Sequence, residues 1–165
     1  MSRDTSESPR YLPVGLDLQG KECLVIGGGS VGTRKAATLA HVGAIVTVVS
    51  PAVTEELKEL IVAKRVRWLR ETFRREHLFG IFLAVAATDD DALNADVVET
   101  AVRRGTLACD ASSAQRSQLI FGALLESDDV TIGVFTGGRD PSRARRVRDR
   151  IAGLLGERWK SERER

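Results

Sequence analysis

The sequence predicts an α/β protein with a doubly wound, mostly parallel sheet, and three observations carry that expectation. Cys23-Leu24-Val25-Ile26 is wholly apolar, as a strand buried on both faces must be. It breaks off into Gly27-Gly28-Gly29-Ser30-Val31-Gly32, a glycine-rich turn that leads into a stretch with helical spacing. Short apolar runs and helical stretches then alternate as far as Asp110, the rhythm of strands joined by helical crossovers.

Local chemistry justifies each element in turn. Thr33 to Val42 carries Ala36, Ala37, Leu39 and Ala40 near helical spacing, and Gly43 stands where a helix end favours positive φ. Ala44 to Ser50 is β-branched and apolar, a second strand closed by Pro51. Strand, turn, helix and strand make one Rossmann-like βαβ unit. Glu55 to Ala63 reads as a helix with Leu57, Leu60 and Ile61 on one face, and a strand follows over Val66 to Leu69. Ile81 to Ala87 is another buried strand. Thr88-Asp89-Asp90-Asp91 then offers carboxylates to cap a helix over Ala92 to Arg103, whose Val97, Val98, Ala101 and Val102 are expected to face inward. Gly105 ends that helix, and Thr106 to Cys109 is the next strand.

After Asp110 the rhythm breaks. Leu119 to Leu125 and Val130 to Thr136 are β-rich runs separated by Ser127-Asp128-Asp129, too short for a helical crossover, so an antiparallel pair is expected. Asp140-Pro141-Ser142 opens a basic helix running through Ile151 and Leu155, with Pro141 suited to its first turn. The ends, residues 1–10 and the charged tail from Glu157, are expected to be a flexible leader and a frayed terminus.

Composition narrows the function classes. The chain has 165 residues, 42% of them hydrophobic, which suffices for one full-sized domain with a modest appendage. Lys and Arg total 25 against 23 Asp and Glu, and the net charge of +2 argues against a general attraction to nucleic acid or membrane. Locally, Arg139, Arg143, Arg145, Arg146, Arg148 and Arg150 crowd together, either as a solvated helix face or as a seat for a negatively charged partner. Cys23 and Cys109 lie in apolar runs without CxxC spacing, which predicts buried, reduced thiols and no zinc site. No run approaches the roughly 20 apolar residues that span a bilayer. A soluble, cytoplasmic protein is expected.

The residues with the clearest chemistry are the glycines. In Gly27-x-Gly29-x-x-Gly32, the first glycine permits the turn, the second lets main chain approach a pyrophosphate, and the third lets helix and strand pack closely. Amides near Ser30 and Val31, at the helix start, would meet the phosphates. These residues, with Gly28, point to a nicotinamide dinucleotide. Ser50 occupies the place where such folds usually carry an acid for the adenosine ribose, and no arginine stands beside it in sequence, so NAD is expected over NADP. Thr88 and Asp89 lie on the ligand-binding edge of the sheet, as site residues, as a helix cap, or as both. Asp110 ends the next strand on that edge and is a candidate general base, with a turn or cap role as the alternative. His41 and His77 read as structural or solvated.

The chain resembles the precorrin-2 dehydrogenases of sirohaem synthesis, including the N-terminal part of multifunctional sirohaem synthases. The resemblance runs from Tyr11 to about Leu155 and rests on Tyr11-Leu12-Pro13, the run Cys23 to Gly32 with Arg34-Lys35-Ala36, Val46-Thr47-Val48-Val49-Ser50-Pro51, Ala87-Thr88-Asp89-Asp90, and Thr136-Gly137-Gly138-Arg139-Asp140-Pro141-Ser142-Arg143-Ala144-Arg145. It implies oxidation of precorrin-2 by NAD to sirohydrochlorin, with iron insertion in some members, and a tetrapyrrole site to which Thr136, Gly137, Gly138, Arg139 and Arg143 belong. It also implies a homodimer. On this reading 11–113 is the NAD-binding domain, 114–139 an antiparallel dimerisation segment and 140–165 a short helical region. Ser50 and Pro51 match the family's habit after the second strand. The family's proposed catalytic aspartate falls on Ser112 in an ungapped alignment, and Asp110, on the same face of an extended strand, is the nearest carboxylate. A non-catalytic NAD- or tetrapyrrole-binding regulatory protein, and a dehydrogenase of another small substrate, stay open as alternatives.

Overall fold

A computed structural model of the chain describes residues 11–127, 130–156 and 159–161. The leader expected over 1–10 and the turn residues Asp128 and Asp129 lie outside the described residues.

The described chain divides into two units, one over Leu16–Leu119 and the other built from Ile120 onward together with the short segment before Leu16. The first holds a five-stranded parallel sheet in the order β3-β2-β1-β4-β5. Its strands are β1 (Glu22–Ile26), β2 (Ile45–Val49), β3 (Val66–Leu69), β4 (Leu83–Ala86) and β5 (Leu107–Asp110). The order reverses between β1 and β4, whose parallel register pairs Ile26 with Ala86. That reversal opens a crevice at the C-terminal edge of the sheet, where ligands of doubly wound folds bind.

Helices α1 (Ser30–His41), α2 (Glu55–Val62) and α3 (Asp91–Arg103) cover the sheet. α1 begins three residues earlier than its apolar spacing suggested, because Gly29 takes an extended backbone (φ −74°, ψ −175°) and serves as the N-cap itself. Thr54 caps α2 by accepting from the Leu57 amide, and Asp90 caps α3 by accepting from the Leu93 amide. The inward face of α3 is Asn94, Val97, Val98 and Ala101, all buried. Val102 was expected to join them, but one residue past Ala101 carries it about 100° round the helix, and it is 41% exposed. The core beneath is made by Leu24, Ile26, Val49, Ala84, Ala86, Val97 and Ala101 among others.

Burial explains the quiet residues. His77 sits in a short 3₁₀ turn, Arg75–Leu78, where Nδ1 accepts from the Arg74 amide at 3.0 Å and Nε2 faces Glu71 Oε1 at 3.1 Å. His41 closes α1 on the surface. Both cysteines are buried and free. Desolvation pushes the Cys23 thiol up to about 11 and raises that of Cys109 as well, so neither is a thiolate at neutral pH.

The nucleotide-type unit ends at Leu119, six residues after the boundary expected from the sequence. The chain beyond β5 turns back on that strand, where the Gln118 amide donates to Ala108 O at 2.9 Å and Gln118 Oε1 accepts from the Ala108 amide at 3.1 Å. In the second unit, β6 (Ala123–Ser127) and β7 (Val130–Val134) pair antiparallel, as their connection required. α4 (Pro141–Leu155) follows, capped by Asp140 with Pro141 in its first turn. Within the tail expected to fray, Lys160–Ser161 form β8, which pairs with β6 on the side away from β7, while Glu157, Arg158 and residues 162–165 lie outside the described residues. An unpaired β6 edge offers main-chain donors and acceptors to any nearby extended segment.

Candidate functional site

The turn after β1 is shaped by contacts that no side chain could share. Gly27 adopts φ +110°, and a Cβ there would lie 2.3 Å from Ala87 O at the end of β4. A Cβ on Gly32 would lie 2.0 Å from Gly27 O, so the first turn of α1 is pressed directly onto the loop. Gly29 differs. Nothing stands within 4 Å of its Cβ position, so its exposed main chain can be approached closely from outside. Gly29 offers no side-chain cap, and the first turn of α1 contains no acid. The leading amides of Ser30, Val31 and Gly32 therefore carry the partial positive charge of a helix start with no intrahelical acceptor. This donor set suits a diphosphate.

A second loop braces the turn from the β2 side. Thr54 N donates to Gly28 O at 3.1 Å, and the Thr33 and Thr54 hydroxyls meet at 2.7 Å. A Cβ on Gly28 would strike Ala52 O at 2.2 Å. Ser50 is buried and its Oγ donates to Ala52 O at 2.7 Å, leaving lone pairs alone for a ribose. Pro51 is exposed beside it.

Opposite the turn, β4 and β5 supply the other wall. A cavity of about 210 Å³ runs between Gly29, Ser30 and Val31 on one side and Thr88, Asp89, Ala111 and Ser112 on the other. Thr88 is held by Asn94, which is 1% exposed: Asn94 Oδ1 accepts from the Thr88 amide at 3.1 Å and its hydroxyl at 2.7 Å, and Nδ2 donates to Thr88 O at 2.9 Å. Asp89 is exposed at the cavity rim.

Asp110 does not line this cavity. Its side chain is fully inaccessible, covered by the Ser112, Ser113 and Arg116 groups that bond it. Oδ1 accepts from the Ser112 amide at 2.8 Å, the Ser112 hydroxyl at 2.6 Å and the Ser113 amide at 3.1 Å; Oδ2 accepts from Arg116 Nε at 2.7 Å. Arg116 extends on to Asp91 in the first turn of α3, making a two-pronged ion pair that includes Nη1 to Oδ2 at 2.9 Å. That bond holds the Asp91 carboxyl below its ordinary range and raises the guanidinium further above its own. The sequence expected Asp110 and Ser112 on one face of an extended strand; β5 instead ends at Asp110, and Ser112 meets its carboxylate from the bend that follows. Sequence reasoning missed Arg116 and Asp91, 25 residues apart, and Asn94, whose one visible signal was an amide at a position otherwise apolar on the inward face of α3.

The expected anion-binding residues of the second unit cluster as a set. Thr136, Gly137, Arg139 and Arg143 line a cavity of about 560 Å³ with Asp140, Val134, Phe135 and Val147. Gly138 takes φ +76° in the turn but is not part of the lining. The Thr136 hydroxyl donates to Asp140 O at 2.9 Å, bracing the turn, while Asp140 caps α4 through the Arg143 amide at 2.7 Å. Arg146 reaches Asp140 at 3.8 Å and Arg148 is buried against Asp149 at 2.6 Å. Arg139 and Arg143 have no ion pair among the described residues. Within the basic run, Arg146 and Arg148 thus pair with acids of the protein, whereas Arg139 and Arg143 face a cavity.

With this geometry in view, comparison with known proteins is decisive for the fold and family. Residues 14–123 match the model of a family described as putative NAD(P)-binding. The chain belongs to that family. Within it, the chain is 37% identical over 145 residues to a siroheme synthase of Photobacterium profundum, covering 88% of this chain and 31% of that protein. It is 38% identical over 145 residues to siroheme synthase 1 of Pectobacterium atrosepticum, with 88% and 30% covered. The chain thus spans about a third of the length of these relatives. The solved structure of SirC, a precorrin-2 dehydrogenase, superposes with a TM-score of 0.77 at 28% identity, covering 89% of this chain and 72% of that one. As a member of the NAD(P)-binding family the chain has a Rossmann-like core, followed by the antiparallel strands and helix described above. Among the described residues no helix is long and apolar enough to cross a membrane.

Proposed function

We propose that this chain is an NAD-dependent dehydrogenase that oxidises precorrin-2 to sirohydrochlorin. The observation that carries the reading is the pairing of chemistries: an open glycine turn whose helix-start amides have no intrahelical acceptor in one unit, and in the other a cavity lined by Arg139 and Arg143, which form no ion pair among the described residues. The first suits the diphosphate of a dinucleotide, and the second suits a small molecule bearing several carboxylates. Likeness to siroheme synthases and to SirC supports the choice of substrate.

On this reading Gly27, Gly28, Gly29, Ser30, Val31 and Gly32 seat the pyrophosphate, Ser50 and Pro51 border the adenosine, and Thr88 and Asp89 border the cavity beyond. NAD, when bound, supplies the hydride acceptor. Arg139 and Arg143 hold substrate carboxylates by charge-assisted bonds, while Thr136, Gly137 and Gly138 shape the turn that presents them. Ser112 lines the β5 end of the cleft, and Asp110, inaccessible behind it, holds its hydroxyl. A second copy of the chain, associating through the β6–β7 region, and a cytoplasmic location complete the proposal.

Anaerobic incubation of the purified chain with precorrin-2 and NAD is the test. Growth of NADH together with the sirohydrochlorin spectrum supports the reading. Unchanged spectra under conditions where calorimetry registers NAD binding would replace it with a non-catalytic binding role.

A further inference from the structure

Building on that reading, we infer that Ser112 is held as an acceptor-only hydrogen-bonding group for the nicotinamide nucleoside, and that Asp110 and Arg116 are the positioning residues that fix its polarity. The argument starts from one proton. The Ser112 hydroxyl donates to Asp110 Oδ1 at 2.6 Å, and a carboxylate paired with arginine has no proton to give back. The hydroxyl hydrogen is thereby committed inward, and Oγ offers lone pairs to the cavity that Ser112 lines.

The commitment is robust because Asp110 has nowhere to turn. Two amides and a guanidinium hold its carboxylate in a fully inaccessible position, so water does not compete for it. Arg116 is in turn anchored on Asp91 by two N–H groups, and its Nη2 stands 3.5 Å from Ser112 Oγ, engaging one lone pair weakly. One acceptor site on Oγ stays available to a ligand.

Position selects that ligand. The strand order reverses between β1 and β4, and dinucleotides lie across such a reversal with one nucleoside on each side. Ser50 and Pro51 follow β2, on the adenosine side, whereas Ser112 follows β5. The nucleoside on the β5 side carries two kinds of donor: the carboxamide N–H and the ribose O–H groups.

Calorimetry on the full chain distinguishes them, using NAD and its 3-acetylpyridine analogue, in which a methyl ketone replaces the carboxamide. Losing one neutral hydrogen bond is worth about a tenfold change in affinity. Ser112→Ala should weaken NAD by about tenfold, at a melting temperature only modestly lowered because two amides and Arg116 still hold the Asp110 carboxylate. If the analogue is unaffected the donor is the carboxamide, and if it weakens equally the donor is a ribose hydroxyl; both outcomes support the acceptor role. Asp110→Asn can offer an N–H to Ser112 and release its proton, so it should cause a similar loss that is not additive with Ser112→Ala. Should Asp110→Asn fail to fold, Arg116→Gln serves the same cycle. Undiminished NAD affinity in Ser112→Ala, or additive losses in the cycle, would overturn the inference. Absence of NAD binding to the parent chain would instead overturn the proposed function.

Discussion

On the proposed function, the two cavities would reach selectivity by opposite physical routes. Around the glycine turn almost every polar group is already satisfied within the protein, through Thr54, Asn94, Asp110 and Arg116, and what remains is main chain fixed in place. In the cavity before α4 the framework is slighter, and Arg139 and Arg143 present charge on long, rotatable stems. The first should discriminate by shape and be insensitive to salt, and the second by charge and be weakened by it. A dinucleotide with fixed geometry and a carboxylate-rich substrate make those different demands.

The largest expected effect comes from the turn itself. Gly32→Ala drives a Cβ against Gly27 O and should cost more than about 3 kcal/mol in urea denaturation, taking dinucleotide binding with it. Gly29→Ala sharpens the contrast: its φ of −74° suits any residue and its Cβ space is open, so stability should hold while NAD affinity falls. A melting curve beside a calorimetric titration separates the two. In the other cavity, Arg139→Ala and Arg143→Ala should each raise the KM for the tetrapyrrole about tenfold, flatten its dependence on ionic strength, and leave NAD affinity alone. A salt-independent KM in the parent chain would break the comparison.

Smaller effects concern the braces. Asn94→Ala strands half-buried Thr88 groups and should cost about 1 kcal/mol, with hydrogen exchange rising at the β4 end. The smallest is a pH effect. Asp91 has its carboxyl lowered by the bond from Arg116, so its contribution is complete above the ordinary carboxylate range and vanishes as pH falls through the lower folded value. The stability difference between the parent and Asp91→Asn should therefore shrink below about pH 4, measured by urea denaturation across an acid series.

Much of this was legible in residue order. Periodicity located the strands and helices of the sheet because burial on two faces demands unbroken apolar runs, and the glycine spacing located the cavity wall because only that residue tolerates the contacts at Gly27 and Gly32. The misses have a common character. Val102 was assigned inward from its chemistry, although the helix rotates it outward after Ala101. The charged tail after α4 was expected to fray, yet Lys160–Ser161 pair with β6, because strand pairing uses main chain and is indifferent to side-chain polarity.

By itself, then, the order of residues determined which segments are strands or helices and where the glycine turn lies. Those are properties of neighbours along the chain. Only the tertiary structure decided that Asp110 faces inward, that Arg116 bridges it to Asp91, and that Arg139 and Arg143 are left facing a cavity while Arg146 and Arg148 are paired. Ion pairs and buried hydrogen bonds depend on distance and desolvation, and the parallel packing of β4, β5 and α3 is what brings residues far apart in sequence within their few ångströms.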